Sequence, residues 1–129
     1  MSKKVILVED NFIIQMFLEE IITAMGHEVL ACTDNGDDTL ELLKTHTPDV
    51  LLLDIGLSGG WSGIELAGII KEKHQIPFVF LTGNSDKDTL DKANYHSPLH
   101  IIQKPIDEDK LKHEFELIVE KMDSTKHTV

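Results

Sequence analysis

The chain has no arginine, a single cysteine, and no apolar run long enough to cross a bilayer. Twenty-three Asp and Glu stand against twelve Lys, leaving a formal charge of −11 over 129 residues. Nucleic-acid binding needs a basic stripe that displaces counterions, so this balance argues against it, and an anionic membrane surface is disfavoured for the same reason. Cys32 alone excludes an internal disulfide framework, and the absence of CxxC or Cys/His clusters excludes a structural zinc site. After Met1-Ser2-Lys3-Lys4 the apolar run from Val5 to Val8 is cut off by Glu9 and Asp10, too short for a signal-peptide core. The expectation is a cytoplasmic, reducing setting with no nucleic-acid and no membrane partner. The length suits one domain, and 41% hydrophobic residues supply its core.

Short continuous apolar runs alternate with segments of helical period, the pattern of a parallel sheet covered on both faces. Strands are expected at Lys4 to Val8, Glu28 to Cys32, Val50 to Leu53, Phe78 to Leu81 and His100 to Gln103. Ile14, Leu18, Ile21, Ile22 and Met25 recur at helical spacing in a first helix from Asn11 to Met25, stopped by Gly26. Further helices are expected from Asn35 through about Thr45, from Ile64 to Lys73, from Lys87 to Tyr95 with few apolar residues, and after a cap at Asp107. Residues 1–122 form the domain in this reading, and residues 123–129 a polar tail. The fold class is α/β, a doubly wound (βα)5 sheet, in which ligands bind beyond the carboxyl ends of the strands.

Those ends carry Glu9-Asp10, Asp54, Thr82-Gly83 and Lys104-Pro105. Taken singly, Asp54 reads as a solvated turn residue, Lys104 as a loop lysine and Thr82 as a turn former. Taken in register, three carboxylates that repel one another call for a divalent cation, and hard oxygen ligands with room for water suit Mg²⁺. A carboxylate can attack phosphorus if charge on the transferred oxygens is neutralised, and the metal, the Lys104 ammonium and the Thr82 hydroxyl can share that task.

With Val8-Glu9-Asp10-Asn11, Leu52-Leu53-Asp54-Ile55, Phe80-Leu81-Thr82-Gly83 and Gln103-Lys104-Pro105 in this order, the chain resembles the receiver domain of two-component response regulators over residues 3–122. The resemblance implies a flavodoxin-like strand order 2-1-3-4-5 and a cis bond before Pro105. It implies Asp54 as phosphoacceptor, Asp10 as a direct metal ligand, Glu9 as a water-mediated one, and the Gly56 carbonyl as another. Thr82 and Lys104 are then the groups that hold the phosphoryl oxygens. The implied partners are a histidine kinase or histidine phosphotransfer protein and a downstream protein target. Its contact face is built from the fourth helix, fifth strand and fifth helix. The implied protein is a stand-alone regulator, not an enzyme beyond its own phosphorylation and dephosphorylation.

Two features depart from the common pattern. The loop Ile55 to Gly63 is one residue longer and Gly-rich, with Ser58 where many members have Pro and with Trp61 as either a packing residue or a candidate partner contact. Ile101 stands where the resemblance implies an aromatic that swings with the Thr, with Tyr95 or His100 as the candidates to substitute for it. Two other functions compete with the receiver reading. A small aspartyl-phosphate phosphatase of the haloacid-dehalogenase type wants Asp-x-Asp, whereas the sequence here is Asp54-Ile55-Gly56. A flavodoxin-like cofactor binder wants a Gly/Ser/Thr-rich loop after the first strand, where this chain has Glu9-Asp10-Asn11-Phe12.

Overall fold

The computed structural model describes residues 2–57, 62–83 and 86–127. Five strands, β1 (Lys4–Val8), β2 (Glu28–Thr33), β3 (Val50–Asp54), β4 (Phe78–Thr82) and β5 (His100–Gln103), form one parallel sheet in the order β2-β1-β3-β4-β5. They alternate with α1 (Phe12–Ala24), α2 (Gly36–Leu42), α3 (Gly63–Lys73), α4 (Lys87–Tyr95) and α5 (Glu108–His127).

Alternation along each strand sends successive side chains to opposite faces. Val5, Leu7, Leu52, Leu81 and Ile102 therefore meet Leu18 and Ile22 of α1 and Leu111, Phe115 and Ile118 of α5. Ile6, Val8, Leu51, Leu53 and Phe80 meet Leu66, Ala67 and Ile70 of α3, Ala93 of α4, and Leu43 beyond α2. Because both faces are covered, the strands read as unbroken apolar runs.

Helix starts follow local chemistry. The side chains of Asn11, Asn35, Ser62 and Asp86 each accept a backbone N–H of the first turn, and Ser62 closes a capping box with Glu65. Each such cap stabilises its helix by about 1 kcal/mol. Asp107 does the same for α5, accepting the Lys110 N–H at 2.7 Å. Gly26, at φ 92°, takes the left-handed turn that ends the α1 connection.

The structure moves several expected boundaries. β2, β3 and β4 each run one residue further than their apolar stretches, so Asp54 and Thr82 are the last residues of their strands. α1 is one residue shorter at each end, because Asn11 and Met25 are its caps. α2 stops at Leu42, short of Thr45, and α3 begins at Gly63. The segment read as a polar tail is helical as far as it is described: α5 continues to His127, and Asp123 is joined to the buried Lys3 ammonium at 2.7 Å. Polar composition had hidden a helix whose contact comes from the other end of the chain. The Lys104–Pro105 bond is cis, as the resemblance implied.

Candidate functional site

The strand order reverses at β1, whose neighbours β2 and β3 lead away in opposite directions. In a doubly wound sheet the crevice at that reversal is where ligands bind. Val8 is level with Leu53, so Glu9 follows β1 beside Asp54 at the end of β3. Asp54 is level with Leu81, which places Thr82 one residue further along β4. Thr82 is level with Gln103, and its carbonyl accepts the Lys104 N–H at 2.8 Å. Parallel register thus delivers residues scattered over nearly a hundred positions to one edge.

Carboxylate oxygens of Glu9, Asp10 and Asp54 lie within 4.8 Å of one another. Asp54 and Glu9 are buried and Asp10 is exposed. Lys104 Nζ stands 3.0 Å from Glu9 Oε1 and 3.5 Å from Asp54 Oδ2. Glu9 Oε2 accepts the Asn11 N–H at 3.0 Å, and Asp54 Oδ1 accepts the Gly56 N–H at 3.1 Å. Thr82, 2% exposed, closes the β4 side.

Among the described residues, three carboxylates against one ammonium leave two negative charges in excess when all are ionised. Burial pushes the Glu9 carboxyl up from 4.5 to about 7, with the Asp54 carboxylate adding to the rise and the Asn11 N–H and Lys104 opposing it. For Lys104, burial by itself would lower the value, but the Glu9 hydrogen bond and the Asp54 and Glu9 charges outweigh it and hold the ammonium above its ordinary range. Glu9 Oε1, although close to Lys104, is buried without a well-directed hydrogen bond.

A divalent cation fits this donor set. Two ligands on Mg²⁺ at about 2.1 Å stand at most about 4.2 Å apart, so oxygens within 4.8 Å suit direct ligation by some and ligation through water by others. The ion would neutralise the excess charge, and a water bound to it would give Glu9 Oε1 a partner.

Of the residues singled out from sequence, Glu9, Asp10, Asp54, Thr82 and Lys104 gather at this edge. Gly56 is exposed beside Asp54, joined to it through its N–H. Ile101 packs on the α3–α4 side. His100 faces α5, with Nε2 3.4 Å from Glu114 Oε2 and Nδ1 2.8 Å from Lys121 Nζ, and Tyr95 is 82% exposed against His96. Neither ring shares the position of Ile101. Ser58 and Trp61 lie outside the described residues.

Two contributors were not singled out from sequence. Gly63 starts α3 so close to β3 that a Cβ there would lie 2.1 Å from the Asp54 carbonyl oxygen, so only glycine allows this approach. Its place at the end of a Gly-rich loop was the available signal. Gln15 bonds the end of β1, and nothing in its sequence neighbourhood marked it.

A family model described as response regulator receiver domain matches residues 5–116. The DNA-binding transcriptional regulator NtrC of Klebsiella pneumoniae is 36% identical over 107 residues, 81% of this chain and 22% of that protein. The transcriptional regulatory protein PdtaR of Mycobacterium tuberculosis is 29% identical over 103 residues, 80% of this chain and 50% of that protein. This chain therefore spans between about a fifth and a half of these two curated relatives. Among solved structures, the signal receiver domain of a modulated diguanylate cyclase from Desulfovibrio desulfuricans superposes with a TM-score of 0.85 at 27% identity, over 97% of this chain and 99% of that one. The response regulatory domain of protein mrkE from Klebsiella pneumoniae gives a TM-score of 0.82 at 28% identity, over 94% and 98%.

Proposed function

Because the chain belongs to the response regulator receiver domain family, we propose that it accepts a phosphoryl group on Asp54 from a phosphorylated histidine of a kinase or phosphotransfer protein. The observation that carries this is one buried carboxylate, Asp54, at the reversal of the sheet, with two further carboxylates within 4.8 Å and one ammonium at 3.5 Å.

A carboxylate oxygen of Asp54 forms the new bond to phosphorus while the bond from phosphorus to the donor imidazole breaks, its electron pair leaving with the ring nitrogen. Mg²⁺, held by Asp10 and Asp54, by the Gly56 carbonyl and through water by Glu9, would supply charge neutralisation on the phosphoryl oxygens. Lys104 then exchanges its carboxylate contacts for a phosphoryl oxygen, and the Thr82 hydroxyl donates to another. Burial of Asp54 and Thr82 shields the reacting atoms from bulk water. This is self-modification with no separate substrate turned over, so the chain acts as a signalling protein.

A protein donor is supported by the surface next to the site. Phe12, Ile13 and Met16 of α1 are exposed, and a groove of about 530 Å³ runs from Ile13 and Phe17 to Lys104, Pro105 and Ile106. Exposed apolar side chains grouped beside a reactive centre mark a contact surface. For output we favour the α4, β5 and α5 face. α4 buries only Ala93, so added charge at the strand ends has a lightly held element to shift.

Incubation with Mg²⁺ and acetyl phosphate, followed by intact mass measurement, should add one phosphoryl group to the parent chain and none to Asp54→Asn. An unlabelled parent, or labelling that survives the substitution, overturns the assignment.

A further inference from the structure

The last rung between β1 and β2 is the Glu9 N–H to Thr33 carbonyl bond, 3.0 Å. Beyond it β2 gives way to the α2 cap at Asn35, and the Glu9 carbonyl is met by a side chain instead. Gln15 Nε2, from the first turn of α1, stands 3.2 Å from the Glu9 carbonyl oxygen and 3.1 Å from the Thr33 carbonyl oxygen. Both partners are acceptors only, so the amide faces them with its NH₂ group, one proton for each. Gln15 thus adds one more rung to the ladder, made by a side chain.

The Glu9 carbonyl belongs to the peptide plane that joins the Cα atoms of Glu9 and Asp10. Holding its oxygen restrains ψ of Glu9 and φ of Asp10, the two rotations that aim these neighbouring carboxylates. The Thr33 end of the bridge is itself anchored, because the Thr33 hydroxyl is 2.7 Å from that of the fully buried Thr39, which donates to the Asn35 carbonyl at 2.8 Å. We propose that Gln15 is a positioning residue that sets the geometry of the Glu9 and Asp10 carboxylates and thereby the affinity of the site for Mg²⁺. The proposal rests on the reading of this cluster as the metal site of a phosphoacceptor.

The test is a Mg²⁺ titration of the full chain followed by amide NMR shifts. Gln15→Met keeps the side-chain length and removes both donors, and should raise the Mg²⁺ Kd about tenfold, the lower end of what outer-shell partners of metal ligands contribute. Gln15→Asn keeps the donors but draws them back by one methylene, and should fall between parent and Met. Ile70→Val, a core change in α3 remote from the edge, lowers stability without touching the clamp and should leave Kd at the parent value. A Gln15→Met or Gln15→Asn Kd equal to the parent's, or a rise of the same size in Ile70→Val, overturns the clamp. If instead the parent itself binds no Mg²⁺, the metal-site reading falls, and the role of Gln15 with it.

Discussion

Glu9 has surroundings opposed to its charge: it is 1% exposed and faces Asp54, and burial pushes its carboxyl up to about 7. Its folded value lies above its ordinary 4.5, so its contribution to stability is complete below that pH and is lost as pH rises through about 7. His27 works in the opposite direction. Burial holds its ring below the ordinary 6.5, and its Nδ1 accepts the Lys3 N–H, so the fold is penalised as pH falls below that value. Comparison with Glu9→Gln separates the two effects. In metal-free urea melts, the stability of Glu9→Gln relative to the parent should rise by on the order of 2 kcal/mol between about pH 4.5 and about pH 8, at about 1.4 kcal/mol for each tenfold change in proton affinity, reduced by local relaxation. Saturating Mg²⁺ should flatten the dependence, because the cation takes up the carboxylate charge. A difference independent of pH contradicts the placement of Glu9. At this scale Asp54, Thr82 and Lys104 were legible because each ends or follows an apolar run. Gln15, Gly63 and Lys3 were not, because what each one meets is remote in sequence or is backbone.

Among the elements, α5 departs furthest from expectation. Leu111, Phe115, Ile118 and Met122 form one apolar stripe, and composition after Met122 turns polar. The helix nevertheless continues, and Asp123 reaches Lys3, whose side chain is 3% exposed. A buried ammonium needs its counter-charge, whereas an apolar side chain in the same place does not. Asp123→Ala should therefore cost about 2 kcal/mol, less than a fully buried pair because Asp123 itself is 36% exposed, and Lys3→Met should cost clearly less. Chemical denaturation of both variants checks this, and an equal or larger loss in Lys3→Met contradicts it. α4 shows the reverse situation. Its bounds, Lys87 to Tyr95, are those expected from the sequence although only Ala93 is buried, and its start carries a local signal, the Asp86 side chain accepting the Thr89 N–H.

For the whole molecule, the charge of −11 separates into a solvated surface and one concentrated edge. Beside that edge lies the apolar face of α1, where Ile13 is 77% exposed and can change without disturbing the core. Ile13→Glu should slow phosphoryl transfer from a phosphorylated protein donor by about tenfold, equivalent to about 1.4 kcal/mol of docking energy, while labelling by acetyl phosphate stays at the parent rate. A parallel fall in both rates would move the docking surface elsewhere.

The sequence by itself determined the alternation of strands and helices, the caps, and the residue types at the strand ends, because periodicity, capping and turn chemistry act over a few neighbouring residues. The strand order came by resemblance, and the tertiary structure bears it out. Only the tertiary structure decided that Glu9, Asp10 and Asp54 stand within 4.8 Å, that Lys104 reaches two of them, that Gln15 bridges two strand ends, and that α5 is tied to Lys3. Those are contacts between remote segments, and their distances follow from sheet register and close packing, which no local pattern encodes.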